Sequence, residues 1–258
     1  MSKKKVLITG AAGAIGQVLL EGLKDRYDLR VLYNRTVLPQ QDNEEICQGD
    51  ITDLDTMETV VDGCDAVIHM AGNPSVQASF ADVHHQNSMG TYCLYEACVR
   101  RSCPRVVFAS TNHVTGEYEK EGIYTTPDMP VRPDSFYGAS KAHGEALGRY
   151  YADNFGLAVI CLRIGSFQPL SSVTERTSDR ILSTWLSHRD TVQLCWRGVE
   201  AEKVKFGIYY GISGNKRGYW DIQSAIDELG YAPEDNTEDH VQKLSASLGQ
   251  LARSDPKS

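Results

Sequence analysis

The feature that most constrains this chain is a glycine triplet close to its start. Val6-Leu7-Ile8-Thr9 leads straight into Gly10-Ala11-Ala12-Gly13-Ala14-Ile15-Gly16, with the glycines three and three apart. The short apolar run reads as a buried strand, and the pattern over 15–23 reads as a helix. Gly10 permits a tight turn between them, Gly13 lets the backbone approach a pyrophosphate, and Gly16 lets helix and strand pack closely. Phosphates held there, beside Ala12, Ala14 and Ile15, meet free N–H groups and the positive end of a helix dipole. Such triplets also occur in plain glycine-rich turns. The pattern that follows separates the two cases.

Short apolar runs at 5–9, 29–33, 45–48, 66–70, 105–109 and 158–163 read as strands, and 15–23, 54–61, 83–101 and 140–154 read as helices. Strands that are apolar throughout and separated by helices indicate a parallel sheet covered on both faces. Right-handed crossovers wind such a sheet into a Rossmann-like, doubly wound α/β fold. Only 93 residues follow Gly165, and the run 204–212 resembles a strand returning to the sheet edge. The expected division is therefore a dinucleotide-binding domain over 1–165 plus 204–212. A small C-terminal substrate lobe, not autonomous, takes 166–203 and 213–258. Segments 118–133 and 169–177 look irregular, the former a loop near the site.

Composition excludes several partners. The chain has 258 residues, 41 % of them apolar and 23 % charged, which suits a soluble globular protein. Its net charge of −8 leaves no basic excess to displace the counterions of a nucleic acid or an anionic membrane. The apolar run after Lys3-Lys4-Lys5 is too short for a signal peptide, and nothing approaches the length of a membrane span. Cys47, Cys64, Cys93, Cys98, Cys103, Cys161 and Cys195 include no Cys-x-x-Cys pair. They read as reduced, buried thiols of a cytoplasmic protein with no metal site. His84-His85 read as exposed helix residues, and Trp185, Trp196 and Trp220 as packing.

The residue at the end of the second strand selects the nucleotide. A carboxylate there takes the ribose hydroxyls of NAD, whereas this chain reads Tyr33-Asn34-Arg35. Arg35 is placed to hold the 2′-phosphate of NADP by a charge-assisted bond worth about 1.5–3 kcal/mol. Its other reading is a solvated loop charge stacking on adenine. Asp50-Ile51 is placed to meet the adenine ring, with an N-cap for the next helix as the plainer role for Asp50.

Tyr137-Gly138-Ala139-Ser140-Lys141 sets a phenol and an ammonium one turn apart on the same helix face. A free tyrosine, with a pKa of about 10, is a poor base at neutral pH. A lysine ammonium and a positive nicotinamide ring both stabilise the phenolate and are expected to lower that value. Thr111 leaves the fifth strand at its carboxyl end, where ligands bind in such sheets. Its hydroxyl is placed to hold a substrate oxygen opposite Tyr137.

With these residues in hand, the chain resembles the extended short-chain dehydrogenase/reductase, or NAD-dependent epimerase/dehydratase, superfamily over nearly its whole length. The resemblance rests on Thr9-Gly10-x-x-Gly13-x-x-Gly16, Asp50-Ile51, His69-Met70-Ala71-Gly72, Asn87-x-x-Gly90-Thr91, Thr111 and Tyr137-x-x-x-Lys141. It implies a Ser/Thr–Tyr–Lys mechanism, with Asn87 a backbone and proton-relay anchor. Ala71, Gly72, Asn87 and Ile164 join the cofactor-binding residues on the same ground. Thr111 stands where serine is commoner.

A closer resemblance is to the bacterial uronate dehydrogenases, carried by 108–113, Arg163-Ile164-Gly165-Ser166, 182–188 and 210–215. The last run is also similar to that of haloarchaeal sugar-phosphate dehydrogenases. This resemblance implies oxidation of the anomeric carbon of an acidic hexose, a uronate or a sugar phosphate or sulfonate, to an aldonolactone. Ser75, Thr111, Asn112, His113 and Ser166 would contact its hydroxyls, and Arg180 its acid group. Plainer roles are a surface helix charge for Arg180 and a turn cap for His113. Tyr33 departs from the aspartate that uronate dehydrogenases carry. Two rivals share the fold: a nucleotide-sugar epimerase or dehydratase, for which the C-terminal lobe is small, and a non-catalytic NADP-sensing protein, which would lack the tyrosine base. The small-molecule partner is thus an acidic sugar, with NADP or NAD as cofactor; a homo-oligomer is left open.

Overall fold

The computed structural model describes residues 3–40, 44–175 and 178–241. Its strands are β1 (Lys5–Thr9), β2 (Asp28–Tyr33), β3 (Glu44–Gln48), β4 (Ala66–His69), β5 (Arg105–Thr111), β6 (Ala158–Ile164), β7 (Ser166–Phe167), β8 (Trp185–Leu186) and β9 (Phe206–Gly211). Seven of them form one sheet in the order β3-β2-β1-β4-β5-β6-β9, every neighbouring pair parallel. The register sets Thr9 beside Leu32 and His69, and Thr111 beside Ile164, so the carboxyl ends of the central strands open along one edge. The expected return of 204–212 to the sheet is β9, paired with β6.

The helices are α1 (Ala14–Leu23), α2 (Leu54–Val61), α3 (Phe80–Val83), α4 (Gly90–Arg100), α5 (Gly116–Lys120), α6 (Phe136–Phe155), α7 (Leu170–Thr174), α8 (Asp179–Thr184) and α9 (His188–Glu200). Alternate strand residues feed opposite faces, as the pleat requires. Val6 and Ile8 pack with Leu19, Leu20 and Leu23 of α1 and Leu194, Cys195 and Val199 of α9. Leu7 packs on the other face with Met57 and Val60 of α2, Leu94 and Cys98 of α4, and Tyr151 of α6. The helix α9, drawn from the segment assigned to the lobe, is thus a layer of the sheet. Beyond β6 lie the β7–β8 ribbon and a cluster of Val173, Leu182 and Trp185, while Tyr210 of β9 packs with Ile212 and Trp220.

Four expectations are corrected. The helix expected over 83–101 begins at Phe80, where Ser79 and Asp82 form a capping box, and it contains a π-helical turn, His84–Met89. The helix expected over 140–154 starts four residues earlier. Ser135 accepts the N–H of Gly138, which offsets the weak helical tendency of glycine there and puts Tyr137 in the first turn. The segment 169–177 contains α7, with Thr177 outside the described residues, and 118–133 begins inside α5. All seven cysteines are free thiols, six of them buried. Among the described residues there is no cluster of metal-ligating side chains, and no helix is long and apolar enough to cross a membrane.

Candidate active site

A cavity of about 1190 Å³ runs along the carboxyl ends of the strands, from the turn after β1 to the helix α8. At one end the glycine turn behaves as its spacing predicts. Gly10 has φ 70°, and a Cβ there would lie 2.6 Å from the backbone nitrogen of Ala71. A Cβ on Gly16 would collide with the carbonyl of Gly10. The N-cap of α1, Gly13, brings no side chain to the first-turn N–H groups, and no acidic residue occupies that turn. Ala12, Gly13, Ala14 and Ile15 line the cavity at this uncapped helix end, which suits a pyrophosphate.

At the nucleotide end, Asn34 and Arg35 line the cavity together with Asp50 and Ile51. Asp50 accepts from the backbone N–H and the hydroxyl of Thr52, at 2.9 and 2.8 Å, and from Asn34 Nδ2 at 3.2 Å. The Thr52 backbone bond leads in holding its carboxyl below the usual range. The N-cap of α2 is Asp53, so the plainer role considered for Asp50 falls to its neighbour. Tyr33 is 1 % exposed within the core, and its hydroxyl has no hydrogen-bond partner among the described residues. The end of β2 thus contributes no carboxylate of its own; the nearby carboxylate is that of Asp50, from the end of β3. Arg35 is exposed and forms no ion pair among the described residues.

In the middle of the cavity, Thr111 at the end of β5 and Tyr137 in the first turn of α6 line the wall together. Thr111 Oγ1 also accepts the N–H of His113, which fixes the side chain in the turn that follows. Lys141 is 4 % exposed, and its Nζ sits 4.8 Å from the centre of the Phe108 ring. Burial drives the Lys141 ammonium down to about 8. The expected lowering of Tyr137 is reversed within the chain itself: burial pushes the phenol up, and only the Thr111 hydroxyl opposes it. Ala71, Gly72 and Ile164 complete this part of the wall.

Asn87 does not line the cavity. It is buried in the π-helical turn behind it, where Oδ1 accepts the N–H of Asn73 at 2.7 Å. Its Nδ2 donates to Asn73 O and to Ser140 Oγ. Ser75 also stands outside the cavity, an exposed residue whose Oγ accepts the N–H of Gln77.

At the far end, Asn112, His113, Ser166 and Arg180 line the cavity together. His113 Nδ1 lies 2.8 Å from a carboxylate oxygen of Asp134, and its ring centre is 5.9 Å from that of Tyr137. Arg180 donates from Nη1 to Ser166 Oγ at 2.9 Å and from Nε to Glu119 Oε1 at 2.6 Å. Glu119 was not anticipated, because it lies in a segment that carried no motif. Gln168, Ser172 and Ser178 line the same end and were equally unmarked in the sequence. Trp185, Trp196 and Trp220 do not line the cavity; Trp185 and Trp220 are core residues, and Trp196 lies beneath Arg26.

Residues 6–199 match the model of the NAD dependent epimerase/dehydratase family. The chain is 38 % identical to a uronate dehydrogenase of Pseudomonas syringae pv. tomato over 94 % of its own length and 86 % of that protein's. It is 37 % identical to the NAD-dependent glucose-6-phosphate dehydrogenase of Haloferax volcanii, over 90 % and 94 % of the two lengths. A crystal structure of a uronate dehydrogenase mutant from Agrobacterium tumefaciens, complexed with NAD, superposes with a TM-score of 0.84 at 35 % identity and covers 100 % of this chain and 92 % of that one.

Proposed function

The chain belongs to the NAD-dependent epimerase/dehydratase family, and from that premise we infer that it is an oxidoreductase acting on C1 of an acidic hexose, with an aldonolactone as product. The observation that carries this reading is the meeting of three elements in one cavity. They are the uncapped glycine turn, Tyr137 and Thr111 on one stretch of wall, and a row of polar groups ending in Arg180.

The bound dinucleotide supplies the hydride acceptor. The side chains supply position and a place for the proton. Thr111 donates to the anomeric oxygen and holds it toward Tyr137, whose phenolate takes the C1 hydroxyl proton. The buried ammonium of Lys141, one helix turn from Tyr137 on the same cavity, would hold the nicotinamide ribose and, with the bound nicotinamide, favour that phenolate. Asn112, His113 and Ser166 hold ring hydroxyls, and Arg180 takes the acid group. NAD and NADP both suit the glycine turn, and the exposed Arg35, with no carboxylate at the end of β2, favours NADP.

The test is a panel of hexoses, uronates, sugar phosphates and sulfosugars, each followed as NAD or NADP reduction by absorbance. Turnover of a uronate above its parent hexose supports the reading. Tightly copurified NAD with no net reduction on any sugar would overturn it in favour of an epimerase or dehydratase.

A further inference from the structure

Arg180 is not a bare cation. Its Nε and Nη2 meet the two oxygens of Glu119 side-on, at 2.6 and 3.3 Å, while Nη1 donates to Ser166 Oγ at 2.9 Å. Glu119 is held from behind as well. Its Oε1 accepts the Tyr219 hydroxyl at 2.9 Å and its Oε2 accepts Asn112 Nδ2 at 3.4 Å. The Glu119 side chain is 18 % exposed against 46 % for Arg180, so the carboxylate is set back behind the guanidinium, which lines the cavity.

A guanidinium has five N–H donors. Three are engaged here, and one remains on each of Nη1 and Nη2 for another oxygen. The orientation is therefore fixed, but the charge is already matched. An oxyanion arriving at the two remaining donors also comes within a few ångströms of Glu119 and is repelled by it. A neutral hydroxyl at the same place meets the donors without that repulsion.

Resting on the reading of an acidic sugar, we propose that Glu119 is a specificity-determining residue. It holds Arg180 in place and, by its charge, limits how strongly the site prefers an acidic sugar over its neutral counterpart.

The experiment measures KM for a uronate and for the corresponding hexose in the wild type and in Glu119→Gln, with the preferred nucleotide saturating. The ratio of uronate KM to hexose KM is expected to fall by about two- to fivefold in the variant, as the removal of one partly screened charge contact implies. A ratio that holds or rises would overturn the proposal, since Glu119 would then serve only to orient Arg180. A second measurement needs no variant. In the wild type the uronate KM should change by less than about twofold between low and high ionic strength, because the Arg180 charge is already compensated. A steep, salt-weakened uronate KM in the wild type would overturn it. If the wild type turns over no acidic sugar, the acidic-substrate reading fails first and takes the proposal with it; an unchanged ratio on an active uronate enzyme removes the proposal alone.

Discussion

Asn87 donates from Nδ2 to Ser140 Oγ at 2.9 Å, and Ser140 Oγ in turn donates to the carbonyl of Tyr137 at 2.7 Å. The π-helical turn is thereby tied to the stretch of α6 between Tyr137 and Lys141. The same side chain clasps both backbone groups of Asn73 beside Gly72, where a glycine Cβ would lie 2.8 Å from Asn87 Oδ1.

Asn87→Ala should leave those buried partners unsatisfied and destabilise the fold by about 1–3 kcal/mol. Urea unfolding reads the stability change. Turnover should fall with it, because the walls that hold Lys141 and the 72–73 turn lose their common anchor. Full stability and full turnover in the variant would contradict this role.

Arg35→Ala should raise KM for NADP by about tenfold to a hundredfold while changing KM for NAD by less than about twofold, the loss expected for one charge-assisted bond to a 2′-phosphate. Steady-state kinetics with each nucleotide tests it. Equal effects on both would make Arg35 an adenine-stacking or solvated residue.

The buried pair Arg163–Glu145 stands beneath the site. Its oxygens and nitrogens meet twice at 2.9 Å, and Ser110, next to Thr111, donates to the same carboxylate at 2.6 Å. Glu145→Gln should destabilise the protein by about 3–5 kcal/mol, because Arg163 would be left as an uncompensated charge that is 1 % exposed. The double replacement Glu145→Leu with Arg163→Met should recover much of that loss in the same urea titration.

His69 gives the fold an acid sensitivity. Burial, and secondarily the charge of Lys141, drive its imidazole from 6.5 down to about 3, and Thr9 Oγ1 lies 2.8 Å from its Nδ1. Between those values the unfolded chain binds a proton that the folded chain refuses. Stability is therefore whole above about pH 6.5 and is lost as pH falls toward about 3. In His69→Gln the decline between pH 6.5 and 4.5, above most carboxylate titration, should shrink by about 2 kcal/mol. An unchanged slope would assign the acid sensitivity to other groups.

What the sequence made legible follows from range. Gly10, Gly13 and Gly16 act within one turn, and Tyr137 and Lys141 within one helix turn, so local spacing announced both. The centre of the sheet was legible because β4, β5 and β6 are buried throughout and read as largely apolar runs. The π-helical turn was not, since its cause is the inward hold on Asn87 by Asn73 and Ser140, which are distant in sequence. The pairing of Glu119 with Arg180 spans 61 residues and leaves no local pattern at either end. The start of α6 was not legible, because it rests on the Ser135 hydroxyl accepting the N–H of Gly138, a contact that the apolar pattern does not carry.

The most direct measurement of the central claim is turnover by Tyr137→Phe at saturating uronate, with nucleotide binding followed separately by fluorescence. The variant should bind the nucleotide nearly as well as the wild type while kcat falls by about a hundredfold to ten-thousandfold, the range expected for loss of a positioned base. A variant that turns over at a rate comparable to the wild type would contradict the assignment of Tyr137 as the group that takes the C1 hydroxyl proton.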